Sequence, residues 1–134
     1  MAWKTGIRVR YQETDAMGVA YYANYLTWFE VARTEFMRQM GLTYRQWEQE
    51  GFCLPVVEAG CHYQHPAHYD DELELVASLT LDGATFHFDY EVRRPDAGES
   101  LATGWTDHVC LGSSGRIDRT ATRRLAGLVR ASGL

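Results

Sequence analysis

A long, strongly apolar helix is the feature of this sequence that constrains the fold most. From residue 23 to residue 40, apolar side chains recur at helical spacing along one stripe: Ala23, Leu26, Phe29, Ala32, Phe36 and Met40. Other faces of the same helix carry Tyr25, Trp28, Val31 and Met37. We therefore expect the helix to be buried on most sides, since a surface helix would show a polar face. Its charged residues are too frequent for a membrane span, so the rest of the chain must wrap around it.

The residues after this helix alternate between apolar and polar, which is typical of strands that bury one face. The pattern predicts a strand over 57–63 whose apolar face carries Val57, Ala59, Cys61 and Tyr63. Two further strands, 73–81 and 86–92, meet at the hairpin signal Asp82-Gly83. A last strand follows the turn at 95–98, and its predicted inward face carries Leu101, Thr103, Trp105, Asp107, Val109 and Leu111. One earlier strand, before the helix, has Thr5, Ile7, Val9 and Tyr11 on one face.

Two shorter helices are predicted from their caps. Thr43 and Gln46 have the spacing of a capping box, which starts a helix that ends near Gly51. Near the end of the chain, an amphipathic spacing predicts a closing helix from about Arg119, capped by Asp118 or Thr120.

Hairpin-length connections without intervening helices make the strands antiparallel, so we predict an α+β fold. The 134 residues suit one domain, spanning 1–134, in which an antiparallel sheet of about five strands wraps around one long central helix. Such a sheet has open edges, which association into a homodimer or homotetramer would cover.

Composition limits the partners and the compartment. The net charge of −5 argues against nucleic-acid binding. Five arginines but one aspartate follow Gly115, so this basic tail either receives an anionic ligand or forms a solvated helix face. The three cysteines have no metal-ligand spacing and are expected to be reduced and buried. No apolar signal-peptide core is present in the first residues, so we expect a cytoplasmic protein without membrane insertion.

Asp15 is the first candidate for chemistry because it lies in a glycine-containing loop seven residues before Tyr22, where the long helix begins. A carboxylate there could act as a nucleophile or a general base, and the unpaired amides of the helix start could bind an oxyanion. An aspartate in a loop is also a common turn or helix cap, so its spacing alone leaves both roles open.

The loop and the helix start together resemble the signature of the 4-hydroxybenzoyl-CoA thioesterase family of hotdog-fold proteins. The matching residues are Tyr11, Glu13, Thr14, Asp15, Gly18, Val19, Tyr21, Tyr22, Ala23, Asn24 and Tyr25. The similarity continues through Phe29, Glu30, Ala32 and Arg33 on the helix and through Tyr63, Pro66, Ala67, Tyr69, Asp70 and Asp71 beyond it. The resemblance covers nearly the whole chain.

This resemblance implies hydrolysis of an acyl-CoA thioester, without metal or cofactor, at a site shared between subunits. It places the catalytic carboxylate at Asp15 and the oxyanion-binding helix amide at Tyr22. Gly18, Val19 and Tyr63 belong to the matched motifs and are expected to contact substrate. At position 22 many relatives of the Tol-Pal-associated type carry histidine, and this chain departs from them, although a backbone amide survives the change.

The sequence also allows predictions for several arginines, two glutamates and three histidines. Arg93 and Arg94, or the tail arginines Arg116, Arg119, Arg123 and Arg124, are candidates to bind the phosphates of coenzyme A. We expect Glu13 to be an exposed acid at a strand end. Glu30 and Arg33 are spaced to pair on the helix. His62, His65 and His68 lack a convincing fourth ligand for zinc.

Two alternatives to a thioesterase remain open at this point. A catalytically idle module that binds acyl-CoA or an acyl carrier would keep the pocket without needing Asp15. A hotdog dehydratase or hydratase would need an Asp/His pair, and no histidine occurs between Met1 and Gly51. The identity of the acyl group depends on the width of the pocket beside the helix and is left open.

Overall fold

Alternating apolar residues form five strands that pair antiparallel in one sheet. The computed structural model describes residues 2–96 and 98–133. The strands are β1 Ala2–Arg8, β2 Val56–Tyr63, β3 Glu72–Asp82, β4 Thr85–Arg93 and β5 Ser100–Val109. The helices are α1 Asn24–Gln39, α2 Tyr44–Gln49 and α3 Arg119–Ser132, and a short 3₁₀ helix spans Tyr11–Glu13. The sheet has the order β1-β3-β4-β5-β2, so β1 and β2 are its edges.

Helix α1 lies across one face of this sheet and forms the core with it. The Phe29 ring stacks on Tyr90 of β4 with centroids 4.5 Å apart. Further along the helix, Phe36 meets Phe88 edge-to-face at 5.7 Å. The apolar residues of β3 and β4 point at the helix as predicted, with Leu73, Leu75, Phe86, Phe88 and Val92 almost fully buried. The predicted α+β architecture, the hotdog fold implied by the resemblance, is therefore confirmed.

The inward face of β5 was predicted with the wrong phase. The residues that face α1 are Ala102, Gly104, Thr106 and His108, which pair with the inward residues of β4. Leu101, on the predicted face, is buried, but Thr103 is exposed, and Trp105, Asp107 and Val109 are only half-buried. The apolar ring of Phe29 occupies the space over Gly104, where an added Cβ would lie 2.4 Å from the ring. Small and polar residues therefore face inward at this strand because large residues from elsewhere fill the core.

A buried chain of hydrogen bonds explains the polar residues on the inward face of β5. The hydroxyls of Tyr90 and Thr106 are 2.6 Å apart, and Thr106 Oγ1 lies 2.8 Å from His108 Nε2. His108 Nδ1 is 3.0 Å from the Leu54 carbonyl oxygen. Burial lowers the pKa of His108 despite this last bond. The neutral ring therefore donates from Nδ1 to Leu54 and accepts from Thr106 at Nε2.

Part of α1 and most of β2 are exposed in the single chain, which corrects the expectation of a helix buried on most sides. Leu26 is 45% exposed and Val31 is 37% exposed, and Ala23 precedes the helix and is also exposed. On β2, Val57 is 58% exposed, and a register shift lies between Val56 and Glu58. The predicted apolar face of β2 lies on the α1 side, since Ala59, Cys61 and Tyr63 pair with inward residues of β5, but the single chain covers it only in part.

The predicted end of the first strand is wrong, whereas the predicted caps of the two shorter helices are largely confirmed. Strand β1 stops at Arg8, and Tyr11 lies in the 3₁₀ helix with 77% of its surface exposed, so the predicted first strand was too long. The Thr43 capping box is confirmed at the start of α2, and Asp118 rather than Thr120 caps α3.

The cysteines only partly match the expectation of burial. All three are free thiols, but only Cys110 is buried, and Cys53 and Cys61 are half-buried. Burial raises the pKa of the Cys110 thiol to about 11, which keeps it protonated.

None of the helices in the described residues is long and apolar enough to cross a membrane.

Candidate active site

The loop that carries Asp15 is a small hairpin between the 3₁₀ helix and α1. The Asp15 amide donates to the Val19 carbonyl at 3.0 Å, and a bridge joins Thr14 to Ala20. Gly18 has a φ of 80°, a conformation that glycine adopts at no steric cost. The outer arm of the hairpin pairs with the segment before β3, because Ala20 donates to Ala67 at 2.8 Å. This pairing holds the Asp15 loop against the segment that follows β2.

Asp15 has both a structural contact and an unused oxygen. Its Oδ1 accepts a hydrogen bond from the Met17 amide at 2.8 Å, which is the turn-capping role that aspartate commonly fills. Across residues 2–96 and 98–133 its Oδ2 has no hydrogen-bond partner, and the side chain is half-exposed. The turn cap therefore holds the carboxylate in place and leaves one oxygen available for chemistry.

The start of α1 offers two unpaired backbone donors. Helix α1 begins at Asn24, and the Tyr22 and Ala23 amides lack an acceptor within the described part of the chain. Unpaired amides at a helix start favour a negatively charged ligand, because the helix dipole is positive there. The Tyr22 side chain is 61% exposed, so its backbone rather than its phenol is the group held in a defined place. The Tyr63 hydroxyl donates to the Tyr22 carbonyl at 2.9 Å.

A pocket of about 270 Å³ lies beside this helix start. It is lined by Ala20, Tyr22, Tyr25, Tyr63, Gln64, His65 and Pro66. The structure thus brings Tyr22 and Tyr63 together, whereas Asp15, Gly18 and Val19 lie on the adjoining hairpin outside the lining. Burial, with the nearby Cys61 thiol, raises the pKa of Tyr63 to about 12, so its phenol remains a donor.

Asp15 and Tyr22 are linked electrostatically through Tyr21. The pKa of the Tyr21 phenol is raised, first by its hydrogen bond with the Tyr22 side chain and also by the negative charge of Asp15. The rings of Tyr21 and Tyr22 have their centroids 4.7 Å apart. The Tyr21 phenol therefore lies near the Tyr22 side chain and within the electrostatic influence of Asp15.

Five pocket residues were not predicted as site residues from the sequence: Ala20, Tyr25, Gln64, His65 and Pro66. Tyr25 belonged to the matched motif, and its position one turn after Tyr22 was a usable signal. Gln64 and His65 precede Pro66 at the end of β2, and only the pairing of residues 20 and 67 brings them to the helix start.

Glu13 was expected to be an exposed acid, and this expectation is wrong. It is 6% exposed, and its carboxylate accepts from the Arg10 amide at 2.8 Å and from Trp28 Nε1 at 3.0 Å. Burial alone would raise the pKa of Glu13, but the hydrogen bonds from Arg10 and Trp28 outweigh it and the pKa is lowered. The charged carboxylate therefore belongs to the interior at the base of the loop.

The predicted pair between Glu30 and Arg33 is also wrong. Arg33 Nη1 instead donates to the Tyr90 hydroxyl at 3.2 Å, at the outer end of the buried chain of hydrogen bonds. Glu30 is exposed and has no ion pair among the described residues. The three-residue spacing would allow Glu30 and Arg33 to pair, but Arg33 is directed toward the sheet by its hydrogen bond with the buried Tyr90 phenol.

Arg93 and Arg94 are both held by carboxylates. Arg93 Nε donates to Glu74 at 2.7 Å, and Arg94 Nη1 donates to Asp71 at 3.0 Å. Arg94 lies at the site end of the sheet, since Asp71 precedes β3 and closely follows the segment paired with the hairpin. A phosphate bound by either arginine would have to share it with these carboxylates.

The tail arginines lie elsewhere. Arg119 and Arg123 line a groove of about 460 Å³ with Gly83, at the far end of β3 from Asp71. A strand of this length spans roughly 35 Å at about 3.3 Å per residue. Within one chain, Arg119 and Arg123 are therefore remote from the Asp15 loop.

Comparison with known proteins identifies the family. The model of the "Thioesterase-like superfamily" matches residues 9–128. YneP of Bacillus subtilis (strain 168) is 38% identical over 110 residues, which cover 81% of this chain and 78% of YneP. A 1,4-dihydroxy-2-naphthoyl-CoA hydrolase of Synechococcus elongatus is 32% identical over 120 residues, covering 87% of each chain. The crystal structure of a DHNA-CoA thioesterase from Staphylococcus aureus is 26% identical, with a TM-score of 0.85 over 99% of this chain and 95% of that one.

The family match spans the Asp15 hairpin, α1 and the whole sheet from β2 to β5. It agrees with the resemblance found in the Asp15 motif and with the observed strand order around a central helix. The chain is a member of the thioesterase-like superfamily of hotdog-fold thioester hydrolases.

Proposed function

We propose that this protein hydrolyses acyl-CoA thioesters to a free acid and coenzyme A. The observation that carries the proposal is the half-exposed carboxylate of Asp15, on a hairpin that leads directly into the start of α1. Within residues 2–96 and 98–133, one oxygen of this carboxylate and two amides at the helix start have no hydrogen-bond partner. Relatives named as CoA thioester hydrolases support the same activity.

In the proposed reaction, the thioester carbonyl oxygen accepts hydrogen bonds from the Tyr22 amide and the adjoining Ala23 amide. These donors stabilise the negative charge that develops on this oxygen in the tetrahedral intermediate. Collapse of the intermediate breaks the carbon–sulfur bond and releases the thiolate of coenzyme A, which takes up a proton.

Asp15 can serve this reaction in two ways. As a nucleophile, its Oδ2 bonds to the carbonyl carbon and forms an anhydride, which water then cleaves. As a general base, it takes a proton from a water molecule that attacks the same carbon. Both routes need the carboxylate charged and uncovered at the same place.

A panel of aromatic, short-chain and long-chain acyl-CoAs tests the proposal, with a thiol-reactive dye reporting free coenzyme A. We expect one of these classes to be hydrolysed with a kcat at least about 100-fold above that of the Asp15→Asn variant, by the magnitude of general-base catalysis. Tight binding of acyl-CoA without thiol release would instead favour the non-catalytic binding module. Hydration of an enoyl-CoA without thiol release would favour a hydratase.

We further propose that the active protein is a homodimer or homotetramer with each site shared between subunits. The unpaired edge of β2 and the exposed apolar residues Leu26, Val31 and Val57 support this, since isologous pairing would cover them together. Asp15 lies outside the pocket lining of its own chain, which leaves room for a partner to close the site.

Light scattering at micromolar concentration is expected to give at least twice the 15.3 kDa chain mass. Val57→Glu should shift the protein toward monomer, because it places a charge on the proposed contact edge. Thr80→Glu, at an exposed position of β3, is the matched control and should leave the mass unchanged. A fully active monomer would contradict the shared site.

Arg93 and Arg94 remain proposed ligands for the phosphates of coenzyme A. Arg94 is favoured by its place at the site end of the sheet, beside Pro66 of the pocket, whose carbonyl accepts from Arg94 Nη2 at 3.5 Å. The three free thiols support a reducing compartment such as the cytoplasm.

A further inference from the structure

We propose that Glu13 is a positioning residue that sets the placement of Asp15 relative to the amides at the start of α1, an inference that rests on the proposed function. Three separate regions of the molecule hydrogen-bond to this one residue: the segment before the loop, the segment after it, and α1. No other residue in the described part of the chain joins all three.

The side chain of Glu13 fixes the loop to the body of α1. Its Oε2 accepts from the indole Nε1 of Trp28, which is 2% exposed and lies one turn into the helix. Its Oε1 accepts from the Arg10 amide at 2.8 Å, and the Arg10 guanidinium lies 3.5 Å from Oε2. The carboxylate is thus held on both oxygens, and it cannot rotate away without breaking one of these bonds.

The backbone of Glu13 fixes the other end of the loop. Its carbonyl oxygen accepts from the Tyr21 amide and from Asn24 Nδ2, both at 2.8 Å. Tyr21 directly precedes the Tyr22 amide, and Asn24 is the first residue of α1. Asp15 follows Glu13 by two residues. The loop that carries Asp15 and the helix start that carries the Tyr22 amide are therefore both anchored at Glu13.

The rate of thioester hydrolysis depends on how precisely the reacting groups are placed relative to one another. A misplacement of about 1 Å between reacting groups costs on the order of 100-fold in rate, because the near-attack geometry is lost. A charged residue buried at the base of the loop, whose carboxylate has two hydrogen-bond donors and an ion pair with Arg10, is a rigid support for such a geometry. Glu13 does not touch the substrate in this scheme and acts only through Asp15 and the helix amides.

The first test is Glu13→Gln, which keeps the size of the side chain but puts an NH₂ group against one of the donors. We expect kcat to fall about 10- to 100-fold with little change in KM, because placement in the transition state rather than binding is lost. In an Asp15→Asn background the same change should lower kcat less than about threefold, since the group it positions is already gone.

Two further variants probe the bonds separately. Trp28→Phe removes the indole donor to the carboxylate, and Asn24→Ala removes the amide donor to the Glu13 carbonyl without touching the core. Both should lower kcat in the same direction as Glu13→Gln. Thr43→Ala is the control: it weakens the cap of α2 away from the site, so it should lower the melting temperature and leave kcat unchanged.

The outcomes separate the two proposals. Wild-type kcat in folded Glu13→Gln or in Asn24→Ala, with kcat lost in Asp15→Asn, overturns the positioning role alone. Retained kcat in Asp15→Asn overturns the catalytic role of Asp15 and, with it, the positioning role of Glu13. A wild-type protein that releases no thiol from any acyl-CoA of the panel overturns the proposed function. If Glu13→Gln does not fold, the kcat of Asn24→Ala tests the positioning role instead. This substitution removes only one hydrogen bond, the one from Asn24 Nδ2 to the Glu13 carbonyl at the start of α1.

Discussion

The Asp15→Asn protein is expected to fold and bind acyl-CoA almost normally while its kcat falls by about 10² to 10⁴. Asparagine keeps the size of the side chain, and its Oδ1 can still accept the Met17 amide that caps the turn. It can neither attack the carbonyl as an anion nor take a proton from water. The loss corresponds to about 3 to 5 kcal/mol of transition-state stabilisation.

KM should move little in this variant, because the interaction removed is one made in the transition state. Asp96→Asn is the matched control, since Asp96 is an exposed aspartate remote from the hairpin in sequence and should tolerate the change. Steady-state kinetics on the best acyl-CoA decides the question. An Asp15→Asn enzyme with more than about a tenth of the wild-type kcat would leave Asp15 as a turn cap only.

The Gly104→Ala protein is expected to lose about 3 kcal/mol of unfolding free energy, the upper end of the usual cost of overpacking a core. The added Cβ would lie 2.4 Å from the Phe29 ring and 2.6 Å from the Gly60 carbonyl oxygen. Phe29 cannot retreat easily because it is 1% exposed and stacked on Tyr90. The Gly60 oxygen belongs to the backbone of β2, so relief on that side would pull β2 away from β5, with which it is paired.

Gly127→Ala provides the matched control for this substitution. Gly127 lies inside α3, and an added Cβ there meets no atom within 4 Å. The exchange should stabilise the protein by roughly 0.5 to 1 kcal/mol, because alanine has less backbone freedom to lose in a helix. Urea unfolding of the two variants, monitored by circular dichroism, should give shifts of opposite sign. A Gly104→Ala protein within about 1 kcal/mol of the wild type would show that Phe29 adapts, contrary to the expectation from overpacking.

Local sequence patterns determined much of the fold. The change of period from 3.6 to 2 after α1 marked one long helix followed by strands, because apolar residues must return to the same face at the period of the backbone. Thr43 and Asp118 marked helix starts because their side chains satisfy amides only a few residues away. The motif around Asp15 likewise marked the loop that leads into the long helix, although α1 begins at Asn24 rather than at Tyr22.

Tertiary contacts decided what these patterns could not specify. The polar face of β5 turned inward because Phe29 and Tyr90, distant in sequence, left room there only for Gly104 and Thr106. Glu13 is buried for the same reason: its donors Trp28 and Asn24 lie on a helix that folds back over it. A local pattern records which residues share a face, whereas the burial of a polar or small residue depends on a partner supplied from elsewhere in the chain.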